Sequence, residues 1–242
     1  MIDLHCHILP GFDDGARHEE EAIDMAVLAA RSGVSGVVAT PHCIDGGTQE
    51  VLAGVRQLQQ WLLESRVNLQ IYPGMEIFGT EHTARLLQQG RLLTLNGSRY
   101  PLMEFDFVSD GQEETRILQS VLDAGYVPLV AHPERYQYVK EDPYLINLWT
   151  KMGCLLQVNK GSLLGRFGEG SRLLAMELVG RGFAAVVGSD AHYAGARTPW
   201  LYDVWDLLAR QFEPIAARTL LQTNPGKIIK NQTISLEMPE WF

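Results

Sequence analysis

Two doublets open the case for chemistry in this 242-residue chain: His5-Cys6-His7 near its start and Asp190-Ala191-His192 near its end. Each sets two metal-binding side chains two residues apart. In an extended strand that spacing points both to the same side. His42, Glu76, Glu104 and His132 each end or follow a short apolar run, and Asp14 lies in the loop after the first such run. The set is thus five imidazoles and four carboxylates. Such a mixture suits Zn, Mn or Fe. Nine donors are too many for one ion, and with bridging carboxylates they suffice for two or three. A single one of these histidines is as readily a core or surface residue. Four carboxylates gathered without cations would be costly, however, and two spaced pairs with five further donors form a specific signal. His18 and His82 stand at helix starts with no strand ahead and read as solvated surface.

Positioning these groups falls to an alternation of short β runs and helices. Strands are expected at 2–5, 36–40, 69–76, 100–105, 127–132, 155–159 and 184–190. Helices are expected near 19–32, 49–64, 81–89, 113–124, 143–152, 172–181, 200–211 and 213–221. Ala22, Ile23, Ala26, Val27 and Ala30 show the helical recurrence, and Gly33 supplies a stop. Seven apolar strands alternating with helices imply a parallel sheet covered by helices. The sheet could be open or closed. Closure into a seven-stranded barrel is favoured, because the carboxyl ends of all strands then meet on one face, where the nine donors sit. No linker, repeat or low-complexity segment interrupts the pattern. The whole chain, 1–242, reads as one domain with a short, partly irregular tail from about 224.

Composition narrows the function. Twenty basic against twenty-nine acidic residues give a formal charge of -9, which argues against a nucleic-acid partner. An anionic substrate would need local help from metal ions and placed arginines. Three cysteines make no disulfide framework and suit a reducing compartment. No apolar run approaches a membrane span, and no signal-peptide pattern precedes the first strand. A cytoplasmic protein is expected.

Two other chemistries are excluded by spacing. A thiol phosphatase needs Cys, five residues, then Arg; six positions after Cys6, Cys43 and Cys154 stand Phe12, Gln49 and Lys160. There is no G-x-x-x-x-G-K-[ST] loop, and the glycines between Gly161 and Gly170 lack the spacing of a dinucleotide fingerprint.

The stretches His5-Cys6-His7, Thr40-Pro41-His42, Gly74-Met75-Glu76, Glu104-Phe105, Ala131-His132-Pro133-Glu134-Arg135 and Ser189-Asp190-Ala191-His192 stand in the motif order of the polymerase-and-histidinol-phosphatase (PHP) family, which this chain resembles. The run His5 to Pro10 followed by Asp13-Asp14-Gly15-Ala16 is more specific. With Leu95-Asn96, Arg99-Tyr100 and His132 to Arg135 it is similar to the bacterial metal-dependent protein-tyrosine phosphatases that accompany capsular and exopolysaccharide tyrosine kinases. The likeness runs from Met1 to about Ile234. It implies a distorted (β/α)7 barrel of PHP type and two to three divalent ions, Mn2+ first, with Fe, Co, Zn or Mg as alternatives. By resemblance, His5, His7, Glu76 and Asp190 hold one ion, and Asp14, His42 and His192 a second. Glu104 and His132 hold a third, which Glu76 bridges to the first. Arg135 and Arg197 match the branch's phosphate-contacting arginines. The implied substrate is a phosphotyrosyl protein, the tail of a bacterial tyrosine kinase. Two alternatives are a small-molecule phosphatase of the histidinol-phosphate type and a non-catalytic metal-binding partner of the kinase. One departure is the loop Cys43-Ile44-Asp45-Gly46-Gly47, where relatives often carry basic residues.

Overall fold

The structure, a computed structural model, describes residues 1–43 and 45–235. Nine parallel strands lie among them: β1 (Ile2–Cys6), β2 (Gly36–Ala39), β3 (His42–Cys43), β4 (Gln70–Pro73), β5 (Glu76–Phe78), β6 (Leu102–Glu104), β7 (Leu129–Ala131), β8 (Leu155–Asn159) and β9 (Ala184–Gly188). They form a three-stranded sheet, β1-β2-β4, and a six-stranded sheet, β3-β5-β6-β7-β8-β9.

The nine strands exceed the seven expected because a short strand follows the expected run 36–40 and the run 69–76 divides. Pro41 has no N–H to give to a ladder. The chain therefore leaves β2 at Ala39 and re-enters pairing as β3, whose His42 and Cys43 face Glu76 and Ile77 of β5. The other break falls at Gly74. A Cβ there would lie 2.7 Å from Val38 Cγ1, so only glycine lets the backbone come this close. At the opposite side of β1 the backbone meets the segment that follows β9. Asp190 N–H donates to His5 O and His7 N–H to Ala191 O, both at 2.8 Å.

Residues of β2, β8 and β9 are buried throughout, as strands covered on both faces must be. The helix Glu19–Arg31 shows how the cover is attached. It buries Ala22, Met25, Ala26 and Ala29 and carries Glu19, Glu20 and Glu21 in its first turn, where the helix dipole favours acids. His18 is its N-cap, its ring accepting from Glu21 N.

A second apolar cluster, containing Leu4, Val38, Leu102, Leu129, Leu155 and Val186, includes Ile228 and Ile229. The stretch expected to begin an irregular tail therefore starts as a helix, Asn224–Ile228, and contributes core. Asn224 Nδ2 donates to Ala185 O at 2.7 Å. Asn96 Nδ2 donates to Ile229 O, Arg99 donates to Asn231, and the Tyr100 hydroxyl to Gln232 O. The motif residues at 96–100 thus grip the segment 229–232 that follows the helix Asn224–Ile228. Trp241 and Phe242 lie outside the described residues.

Candidate metal centre

The carboxyl ends of the strands bring the nine donors together. Glu76, at the start of β5, is the hub. Its Oε2 lies 3.1 Å from His5 Nε2, 3.2 Å from His7 Nε2 and 3.1 Å from His42 Nδ1. Its Oε1 lies 3.1 Å from His132 Nε2. Asp14 Oδ1 reaches His192 Nε2 at 3.3 Å and His42 Nε2 at 3.5 Å. Asp190 Oδ1 is 3.6 Å from both His5 and His7. Four sets have ligand atoms within 4.8 Å of one another: His7, Asp14, His42 and His192; His5, His7 and Asp190; His5, Glu76 and His132; and His42, Glu76 and Glu104. Two of these sets follow the groups implied by resemblance, with His7 added to the second. Glu104 and His132 approach to 3.5 Å, yet each clusters with a different imidazole and with Glu76.

The hydrogen bonds show that this set fits a cation. His5 Nδ1 faces Gln157 Oε1 at 2.8 Å, and His7 Nδ1 faces Asp13 Oδ2 at 2.6 Å. Both partners are acceptors, so in each neutral ring the proton sits on Nδ1. That leaves the two Nε2 lone pairs facing each other at 3.2 Å, beside a carboxylate. Glu76 Oε2 is buried and has no hydrogen-bond donor. Lone pairs that converge without protons are what a divalent ion takes, and a carboxylate or carbonyl behind each ligating imidazole is how its free nitrogen is aimed.

The electrostatics follow from the same crowding. Burial works to raise Glu76, but His5, His132 and His42 outweigh it and hold the carboxyl well below its usual range. Asp190 is treated likewise by His5, His132 and Arg197 and sits at about 2. Glu104 goes the other way. Burial and the Glu76 charge push it to about 7.

Two donors sit at strained positions. His132 has φ 34 and Asp190 φ 50, left-handed conformations that cost about 1–3 kcal/mol each in a non-glycine residue. Each is the turn from a strand end into a loop, which lets the side chain point back over the cleft.

The two expected arginines arrive from different loops at one carboxylate. Arg135 Nη1 donates to Asp190 Oδ2 at 3.1 Å, and Arg197 Nη2 lies 2.6 Å from Asp190 Oδ1. Phe107 and Phe167 stack on the Arg135 guanidinium at 4.8 and 4.3 Å. With Asp14, His42, Glu76, Glu104 and His192 the arginines line a cup of 270 Å³.

Several supporting residues had no role in the sequence reading, although Asp13 and Glu134 stood in its motifs. Asp13 and Gln157 aim His7 and His5. Asn159 Nδ2 donates to Asp190 Oδ2 at 2.6 Å, and its backbone N–H donates to buried Glu134. Lys160 is 1% exposed, and its ammonium donates to Thr198 O and Trp200 O, fastening the loop that carries Arg197. A signal for two of these was present. Gln157 and Asn159 interrupt an apolar strand at a spacing of two, and a polar residue inside a buried strand needs a partner.

Cysteine takes no part in this arrangement. Cys6 and Cys154 are buried, and burial raises both thiols, Cys154 to about 12. Cys43 donates to Gly46 O, and burial and Asp45 raise it too. All three are protonated at neutral pH and therefore weak nucleophiles. Replacing the three together by Ser or Ala is expected to cost less than about tenfold in rate, near 1.4 kcal/mol of barrier. Loss of activity from a single cysteine change, in protein that stays folded and metal-loaded, would bring a thiol nucleophile back.

Comparison with known proteins agrees along the whole chain. It is 33% identical over 244 residues to the tyrosine-protein phosphatase YwqE of Bacillus subtilis (strain 168), covering 99% of this chain and 96% of YwqE. It is 30% identical to the tyrosine-protein phosphatase CpsB of Streptococcus pneumoniae, covering 97% and 100%. A solved structure from the work on YwqE and CpsB, described as unique metal-dependent tyrosine phosphatases, superposes with a TM-score of 0.94 at 31% identity, covering 100% of this chain and 99% of that one. A β-aspartyl dipeptidase from Fervidobacterium islandicum shares the fold at a TM-score of 0.57 and 15% identity. Residues 1–230 match the family described as capsular polysaccharide synthesis, CpsB/CapC, and the chain belongs to that family.

Proposed function

We propose that this protein is a metal-dependent protein-tyrosine phosphatase that acts in the cytoplasm on a bacterial tyrosine kinase and so regulates capsule or exopolysaccharide synthesis. The observation that carries the reading is the convergence of three imidazole nitrogens on the donor-free Oε2 of Glu76. The full-length likeness to YwqE and CpsB supports the same reaction.

In this reading His5, His7, Asp14, His42, Glu76, Glu104, His132, Asp190 and His192 hold two or three divalent ions, with Mn2+ preferred. Those ions would supply a nucleophile from water at neutral pH and offset phosphate charge. The fold that goes with this is a distorted barrel. Joining β2 to β3 across Pro41 and β4 to β5 across Gly74 leaves seven strand units. The pairing of Cys6 with Ala191 lies where the seam would close.

The chain's own groups do the rest. Arg135 and Arg197 present guanidinium forks to the cup and clamp phosphate oxygens. Phe107 and Phe167 stack on Arg135 and hold it in place. Asn159 shares Asp190 with both arginines, so the carboxylate remains anchored when they turn to substrate. A tyrosyl oxygen leaves with a pKa near 10, low enough that no strong general acid is required.

A phosphotyrosyl peptide is therefore expected to be hydrolysed at least about tenfold faster, in kcat/KM, than its phosphoseryl twin or histidinol phosphate, near 1.4 kcal/mol of barrier. All three are compared under one metal condition. A tenfold preference for histidinol phosphate would assign the protein to small-molecule hydrolysis. No turnover of any of the three would favour a non-catalytic partner of the kinase.

A further inference from the structure

The cup that holds the arginines adjoins a larger cavity of about 570 Å³. His42 and Glu104 line both spaces. The larger cavity is walled by Phe12, Val51, Met75 and Phe78. Phe12 is 38% exposed and Phe78 36%, so each presents part of its ring to the opening.

Both rings are placed by the fold. Phe12 lies against Gly54 of the helix Thr48–Glu64, where a Cβ would come within 2.9 Å of its Cε2 and Cζ. Glycine at that position makes the seat for the ring. Phe78 ends β5 two residues after Glu76 and pairs in register with Glu104. It therefore follows the strand period of the metal-centre hub.

The chemistry of the walls selects the occupant. No lysine or arginine lines this cavity among the described residues. Its acidic members are Glu50, Glu104 and Asp45, the last engaged by Arg91 at 2.7 Å. A second phosphate or carboxylate would find no guanidinium or ammonium partner here among the described residues. A neutral apolar group would meet two aromatic rings and a thioether. A phosphoryl group clamped by Arg135 and Arg197 that directs its leaving group across the His42 and Glu104 border places it here, whereas the hollow reached past Asp14 is lined by the charged Asp13, Arg17 and Glu21.

We propose that this cavity is the leaving-group subsite and takes the neutral aromatic ring of an aryl phosphate ester, packed between Phe12 and Phe78. The inference rests on the phosphomonoesterase reading and adds to it a physical source of preference for tyrosine. Aryl substrates are favoured by contact as well as by the ease with which a phenol departs, because ring pairs gain more than their buried area alone provides.

Non-hydrolysable ligands separate this contact from catalysis. Binding of phenylphosphonate and methylphosphonate to the Mn2+-loaded protein is measured by calorimetry. Phenylphosphonate is expected to bind about tenfold tighter, near 1.4 kcal/mol. In a Phe12→Ala/Phe78→Ala double variant the ratio should fall to about one, with methylphosphonate affinity held. Thermal unfolding checks each variant. Should the Phe12 change prevent folding, Phe78→Ala alone decides, with the ratio expected to fall at least about threefold. Tyr193→Ala tests the opposite rim, where Tyr193 lines a separate hollow with Asp14 and Arg17. An unchanged ratio in the folded phenylalanine variants, or its loss in Tyr193→Ala, overturns the subsite. Failure of both phosphonates to bind metal-loaded protein overturns the phosphomonoesterase reading and the subsite with it.

Discussion

Asp190→Ala is expected to lower kcat/KM for a phosphotyrosyl peptide by about a thousandfold or more, near 4 kcal/mol of barrier. The carboxylate touches more of the cleft than any ordinary ligand. It lies 3.6 Å from both His5 and His7 and is also contacted by Arg135, Arg197 and Asn159. Removing it subtracts a metal donor and releases two guanidinium groups from the geometry that presents them to phosphate. Metal content measured beside the rate separates the two losses. A variant that has lost metal and regains part of its rate at high Mn2+ has a weakened site. A variant that keeps its metal and stays slow has lost the alignment of the arginines. Rates within about tenfold of the parent would remove Asp190 from the machinery altogether.

Exhaustive chelation is expected to abolish turnover, and Mn2+, Co2+ or Fe2+ should restore it better than Ca2+. Five of the nine donors are imidazoles, whereas Ca2+ prefers sites made of oxygen. The physical basis in this chain is the lone-pair arrangement at His5 and His7. Both Nδ1 atoms are committed to Gln157 and Asp13, and both Nε2 atoms converge beside Glu76. Metal removal should also lower thermal stability, because the cluster must then take up protons or repel itself. Full turnover in protein shown by elemental analysis to be free of metal would defeat the metal-centre reading as a whole.

Much of the candidate site was legible because strand periodicity is local. His5 and His7 share a side through a spacing of two, and Asp190 and His192 repeat it. The remaining donors, apart from Asp14 in its loop, end or follow apolar runs, and parallel strands bring such ends to one face. The helices of the cover were legible for a similar reason, since apolar recurrence and caps such as Gly33 act over a single turn. Strand division was harder to see. The run 69–76 is apolar enough to read as one strand, and it divides because Gly74 must pass close to Val38, a residue far away in sequence. The helix Asn224–Ile228 was missed because its polar and glycine-containing sequence forms only where Asn224 can reach Ala185 and Ile228 can enter the second apolar cluster.

The sequence by itself determined which side chains could bind metal, that each spaced doublet sets its two donors on one side, and that cysteine chemistry and nucleotide loops are excluded. Those follow from residue type and from spacing along one segment. Only the tertiary structure decided which donors share a set, and that Asp190 gathers both arginines. It also decided that Gln157 and Asp13 fix the imidazole tautomers and that an apolar cavity adjoins the cup. Most of these depend on distances between residues far apart in the chain, His5 and Gln157 being 152 positions apart. Such distances are set by how the strands pair and how the helices pack on them, and no local pattern encodes them.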